Sequence, residues 1–590
     1  MKKLFILFLL LISQVIFAQS ELLLAENYFR KGEYEKAEQL YQLLFDKNPQ
    51  NTTYLKRLIS CFQETAKFTA AEELLQKQLT KRPNETYLYV ELGYNYDRQQ
   101  LKEQATTQYK KALESIDKYP EFGGYIARLF KENSLLDFAI EAYQKTMQLN
   151  PDLNYNFQIA QIYGEQGSFE KMFTAYINLL NTNDAYLPTV QRFTSPYITD
   201  DPEDKNNILF KKVVIKKSIS NPKNVWNQLL SWVFTQQKEY DKAFIQEKAL
   251  FQRNPEFINN IINLGVLAYK AEDYKIAQEC FDFVKEKSPL GDYKRIAASY
   301  VLQIAIEVKQ PDIDKLFSAF FDEFGQNSST FQAQLLYANY LTFQKDQTDK
   351  AILVLNEAMK HTTSKFNHAK VKLQLGDIYV YLGKFNKALI EFSKVQTSIK
   401  DHPISQEARF KVAQTSYFKN DFDWAKAQLK VLKASTTQLI ANDALELFLI
   451  ISNNQPKDST DLSLNKYAKT DLLAFQEKNE AAILGLQSLL NEYKGYPIED
   501  EALYKQAGLF VKTNQLESAI KNYLQLIAIN KEGILVDDAY YQLAELYSTK
   551  LNNTEKASEY YQKIIFEHPS SIYLVDARKK FRKLRGDAVQ

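Results

Sequence analysis

The chain has 590 residues, 45% of them apolar and 25% charged, with 74 Lys and Arg against 72 Asp and Glu. Only 16 Gly and 15 Pro leave few positions for hairpin turns, which favours long helices joined by short connections over a β fold. The near-zero net charge argues against nucleic acid or an anionic membrane surface as the main partner, and two cysteines, Cys61 and Cys280, are too few for a disulfide framework.

The first 20 residues, MKKLFILFLLLISQVIFAQS, open on Lys2 and Lys3, run apolar from Leu4 to Leu11 and reach a small residue at Ala18. This is the pattern of a signal peptide over 1–18, with cleavage expected after Ala18. The apolar run is short for a spanning helix, which takes about 20 residues, and Ser13 and Gln14 interrupt it. Cleavage would remove two lysines and leave acids and bases equal in number. No Cys stands at the expected new N-terminus, so an acyl anchor is not expected, and no later segment resembles a membrane span.

From residue 19 a pattern repeats. In LYVELGYNYDRQQLKEQATTQYKKAL, Leu92, Gly93 and Tyr96 share one face of a first helix, A, and Ala105, Tyr109 and Ala112 share one face of a second, B. The helix B alanine recurs at Ala37, Ala71, Ala105 and Ala139, with Met172 in the slot 33 residues later. The frame resumes at Ala243 and Ala277, then at Ala351, Ala388 and Ala425, then at Ala519 and Ala557, giving at least twelve units. A small residue such as Gly93, Ala127 or Gly265 lets helix A approach helix B, and the following ring fills the groove. Pro49, Pro83, Pro151, Pro255, Pro289 and Pro569 are placed to stop helix B.

Two stretches lose the frame. Residues 186–222 carry four prolines, an acidic run from Asp200 to Asp204 and the basic Lys211, Lys212, Lys216 and Lys217; residues 453–465 are polar and include Pro456. They divide the chain into an N-terminal array over 19–185, an irregular connector over 186–222, a central array over 223–452, a linker over 453–465, and a C-terminal array with a capping helix over 466–590. The first break reads as a degenerate repeat with a long loop, or else as a hinge.

The period of 34 residues is that of the tetratricopeptide repeat, which nearly the whole expected mature chain resembles. Later units run to 37 or 38 residues and start helix A on a proline, as in HPISQEARF from His402 and YPIEDEALY from Tyr496. In this they are similar to the long-repeat subclass in envelope proteins such as outer-membrane barrel-assembly lipoproteins and periplasmic cell-division coordinators, though without the anchoring cysteine of those lipoproteins. The resemblance implies an all-α fold, an α-solenoid of helix-turn-helix units forming a right-handed superhelix. Its A helices would line a concave groove, and Tyr87, Tyr94, Arg98, Arg128 and Lys131 would point into it as partner-binding residues.

No catalytic, cofactor or metal motif is present: no Gly-rich phosphate loop, no paired cysteines at metal spacing, no zinc helix around His361, His368, His402 or His568. The reading is therefore a non-catalytic scaffold of the bacterial cell envelope, exported to the periplasm or attached peripherally to the outer membrane. It would bind a protein or peptide partner, within an outer-membrane complex on one reading; a self-assembling structural element is the alternative.

Overall fold

The computed structural model describes residues 21–432, 438–455 and 461–586; the expected signal peptide lies outside them. Among the described residues every regular element is helical. Two compact units divide the chain at Phe257 and Ile258, and each is a row of antiparallel helix pairs.

The turn from helix A to helix B explains the regularity. Among the described residues fourteen such turns each place one residue in the left-handed backbone region, in chain order Gly32, Ala66, Gln100, Ser134, Gly167 and Lys238 in the first unit and Glu272, Lys309, Asp346, Gly383, Asn420, Glu477, Asn514 and Asn552 in the second. In the third pair, helix A is Leu88–Arg98 and helix B is Lys102–Ser115. Here the Leu101 amide donates to the Tyr96 carbonyl at 3.0 Å and the Gln100 amide to Asp97 at 2.8 Å. Those two bonds satisfy carbonyls that a helix end otherwise leaves orphaned. The spacing of the left-handed residues is 34 up to Ser134, 37 from Glu272 to Asn420, and 38 from Asn514 to Asn552. The last interval contains one turn of π-helix, Leu546–Lys550, which accommodates an extra residue within a continuous helix A.

Packing follows the frame. The helix B alanines, Ala37, Ala71 and Ala105 among them, are buried, and so is Met172 in the same slot. Two units lay outside the twelve found by alanine spacing. One carries Ala482, also buried, in that slot; the other carries Asp314 there, so its signal was absent. Six helices B end two residues before a proline, as Tyr34–Lys47 does before Pro49 and Thr554–Glu567 before Pro569. The intervening residue is pushed toward extended backbone, φ −139° and ψ 80° at Asn48. In the first unit one continuous apolar core runs from Ala25 to Val233.

Residues 187–220 contain two helices, Leu187–Thr194 and Lys205–Ser220, the second capped by Asp204, whose carboxylate accepts from the Asn206 amide at 2.8 Å. In the second unit, among the described residues, the helix Gln438–Asn454 stands without a B partner before the pair Leu462–Phe475 and Asn479–Glu492. There the ends of several A helices converge. Phe475 meets Phe343 and Phe418, each at 5.7 Å between ring centres, and the Gln476 amide donates to the Tyr381 carbonyl at 2.7 Å. The last helix, Leu574–Arg585, is followed by no further described helix and buries only Ala577.

Candidate functional site

Consecutive A helices lie side by side, and the repeat frame sets what each presents to the next. One interaction recurs. An acid six residues before the left-handed residue of one pair meets a base nine residues before that of the next. Glu26 pairs with Arg57 at 3.2 Å, Asp377 with Lys411 at 2.8 Å, and Asp471 with Lys505 at 2.6 Å. The same two slots thus hold an ion pair at three interfaces between A helices, one in the first unit and two in the second.

The residues expected to bind a partner sit on this face of the first unit, in the A helices Leu88–Arg98 and Gly123–Glu132. Arg98 reaches back to Glu64 on helix Thr52–Glu64 at 2.8 Å, with its guanidinium over the Tyr94 ring at 6.0 Å from the ring centre. Lys131 reaches forward to Glu165 at 2.9 Å. Arg128 covers the Tyr125 ring at 4.8 Å and lies 3.8 Å from Glu132. Tyr87 departs from the expectation. Only 6% exposed, it packs edge-on against Tyr125 at 4.9 Å and donates its hydroxyl to Glu85 at 3.0 Å. It precedes the helix and so falls into the seam between pairs rather than onto the open face.

Three residues of this face were not singled out from sequence. Lys56 and Glu132 form an ion pair that links the second and fourth A helices across the third. Glu91, on that third helix, is 5% exposed. Burial pushes its carboxyl above the ordinary range; Lys56 draws it back and Glu132 pushes it further up. A glutamate inside an amphipathic helix reads as solvent-facing until the neighbouring helices are placed, so only its slot in the repeat could have marked it.

Two of the four histidines, His368 and His402, serve structure. His368 Nε2 lies 2.8 Å from the Thr362 carbonyl, and His402 accepts the Ile404 amide at 3.2 Å while stacking on Phe366. Of the acidic run at 499–501, Glu499 accepts the Gly495 amide at 2.6 Å in the first turn of its helix. Among the described residues no group of three or more His, Cys, Asp or Glu is placed to hold a metal, and no helix is long and apolar enough to cross a membrane.

No curated protein matches the chain. Similar solved structures include the Naa15/Naa10 complex bound to HypK-THB, at 13% identity over 97% of each chain with a TM-score of 0.26. The APC/C hetero-tetramer Cut9–Hcn1 is similar at 12% identity over 88% of this chain and 95% of that one, TM-score 0.27. Yeast Tom70 is similar at 14% identity over 96% and 99%, TM-score 0.26. Residues 18–121 match the model of the TT21 fifth ARM repeats domain. Residues 538–571, the last complete helix pair, match the tetratricopeptide repeat, and the described residues form an α-solenoid of such TPR-like pairs, each built on the same left-handed turn.

Proposed function

We propose that the protein is a non-catalytic scaffold of the bacterial cell envelope that holds a peptide segment or a partner protein against the A helices of its first unit. The observation that carries this reading is the run of charged and aromatic side chains, Tyr94, Arg98, Arg128 and Lys131 among them, set on successive A helices by the repeat. Rigid elements holding rings and arginines in a row suit recognition of an extended chain, where a few anchors carry most of the affinity. The envelope assignment rests on the N-terminal sequence alone, in which Lys2, Lys3, the apolar run and Ala18 specify export.

The test is crosslinking in the intact envelope followed by affinity capture, comparing the native chain with Tyr94→Ala/Arg98→Glu. One envelope protein retained by the native chain and lost by the variant supports the reading. A captured set that the variant leaves unchanged removes this face from the function. The second reading, self-assembly, is favoured by the apolar end of the C-terminal array, where Ile534, Ile572 and Val575 are 68%, 84% and 78% exposed. It requires a mass that rises with concentration in sedimentation and falls when Ile572 and Val575 are made polar.

A further inference from the structure

Three connections of the C-terminal array share one feature. Tyr496, Ile534 and Ile572, at an even spacing of 38 residues, stand two residues ahead of the helices Ile498–Lys512, Val536–Glu545 and Leu574–Arg585. Tyr496 is 56% exposed and the other two more so. Elsewhere the slot is mostly polar, with Arg82, Asn254, Lys365 and His402 in it, so the repeat itself does not call for an apolar side chain there. Pairs are antiparallel, so the starts of A helices and the ends of B helices lie on one edge. The Tyr573 hydroxyl donates to Asp538 at 2.8 Å and its ring stacks on Tyr541 at 4.2 Å, setting the start of the last helix beside the start of the previous helix A. Phe566, exposed near the end of Thr554–Glu567, opens on the same edge.

Positive charge accompanies this row. Lys494 and Lys531 are exposed, two and three residues before Tyr496 and Ile534, and form no ion pair among the described residues. On the last helix, Val575, Arg578, Lys579 and Arg582 share one exposed face by helical spacing, which no further described helix covers. Between Ala577 and Arg585 stand six bases and no acid. Of the acids nearby, Glu545 and Asp576 hold Lys580, Glu567 holds Lys563 and Glu492 holds Lys466, leaving Glu532 and Asp537 to oppose the bases.

Going beyond the scaffold reading, we propose that this edge and the open face of the last helix seat the protein on a bilayer carrying anionic headgroups. Tyr496, Ile534, Ile572 and Val575 enter the headgroup boundary, and the bases contact phosphate. Apolar side chains set apart on connections and flanked by bases match an interfacial contact, whereas a bound peptide or small molecule is enclosed by a concavity. A second copy of the chain, meeting this surface through a two-fold axis, would set Arg578 and Arg582 against like charges. The near-zero charge of the whole chain does not decide the matter, because headgroup attraction acts within a Debye length, ~10 Å, of the bases concerned.

The test is flotation of the chain from Gln19, so that the apolar run of the expected signal peptide contributes nothing. It uses vesicles of phosphatidylcholine alone and vesicles with about one third phosphatidylglycerol. Retention is expected on the anionic vesicles only and should weaken as salt is raised. Arg578→Glu/Lys579→Glu/Arg582→Glu should weaken it about a hundredfold or more. Ile572→Ser/Val575→Ser should weaken it about tenfold and keep the salt dependence. Leu353→Ser/Leu484→Ser, which removes two well-exposed apolar side chains from B helices elsewhere, should leave it unchanged, as should Tyr94→Ala/Arg98→Glu. Every side chain substituted at the C-terminal array is exposed, so native helical content in those variants separates lost contact from misfolding. Equal retention on neutral vesicles, or equal retention of the native chain and both C-terminal variants, overturns the proposal. No retention at all also overturns it, and leaves the edge to self-assembly where mass rises with concentration and to an acidic protein where it does not. None of these results bears on the partner-binding face, which capture through Tyr94 and Arg98 tests separately.

Discussion

Gly93 faces Tyr109 so closely that a methyl group added to the glycine would lie 2.4 Å from the ring and 3.1 Å from the Ala105 carbonyl oxygen. The same approach recurs sixteen residues apart at Gly376 and Phe392, with 2.2 Å, and at Gly265 and Phe281, with 2.9 Å. Gly93→Ala must displace a ring that is itself locked edge-on against Phe130 at 5.6 Å, and should cost about 1–3 kcal/mol. Gly508 is the control. It sits in the helix Ile498–Lys512 with nothing within 4 Å of an added methyl, so Gly508→Ala should stabilise by about 0.5–1 kcal/mol through helix propensity. Denaturant midpoints that move in opposite directions for the two substitutions establish the contrast.

The left-handed turns make a second prediction. Eleven of the fourteen are occupied by residues other than glycine, Gln100 with φ 64° among them. A side chain there costs about 1–2 kcal/mol relative to the right-handed helix, part of which the paired turn hydrogen bonds offset. Gln100→Gly removes that strain and should stabilise by about 0.5–1 kcal/mol, net of the added freedom of the unfolded chain. Gly383→Ala, at φ 66° with open space around it, should destabilise by a similar amount. Equal and negligible shifts for both would mean that the turns are not strained.

Much of this architecture is legible in the sequence because small residues recur where backbones must touch: Ala105, Gly93 and the ring of Tyr109 announce a helix pair without reference to anything distant. The left-handed turn is not legible, since Ala66, Gln100 and Lys238 carry no turn signal; it is fixed by hydrogen bonds from the ends of helices that packing has already placed. The pair containing Lys309 escapes the alanine frame because Asp314 stands in its slot and Phe317 and Phe320 supply the packing instead. Tyr94, Arg98, Arg128 and Lys131 could be assigned to the A helices by period. That Arg98 and Lys131 are held by Glu64 and Glu165, and that Glu91 is buried beside Lys56, depends on the offset between neighbouring helices, which no single segment encodes.

Asp377 and Lys411 test whether the register of ion pairs contributes to the joining of repeats. Both side chains are about four-fifths buried, and their contact is 2.8 Å. Burial raises the Asp377 carboxyl above its ordinary 3.8 while Lys411 draws it down. Lys411→Met should therefore cost about 3 kcal/mol, because it strands a desolvated carboxylate rather than merely deleting an attraction. Lys411→Met/Asp377→Leu should recover most of that loss. A double substitution as damaging as the sum of the two single ones would show that the residues act independently and that the pair is incidental.

Burial of Glu91 gives the stability of the first unit a pH dependence. Burial holds its folded-state pKa above the ordinary 4.5, so the folded chain keeps a proton that the unfolded chain has released. Stability from this group is present in full below 4.5 and is lost as pH rises from there through the folded-state value. Glu91→Gln has no such proton. Its stability relative to the native chain should therefore increase as pH is raised across that window and level off above it, whatever constant offset the buried amide introduces. Lys56→Met should enlarge the effect, since Lys56 is the group that lowers the Glu91 pKa. Denaturant midpoints of the three chains, measured at successive pH values, check both statements. A native-to-Gln difference independent of pH would mean that the Glu91 carboxylate is solvated in the folded chain and that its burial carries no pH dependence.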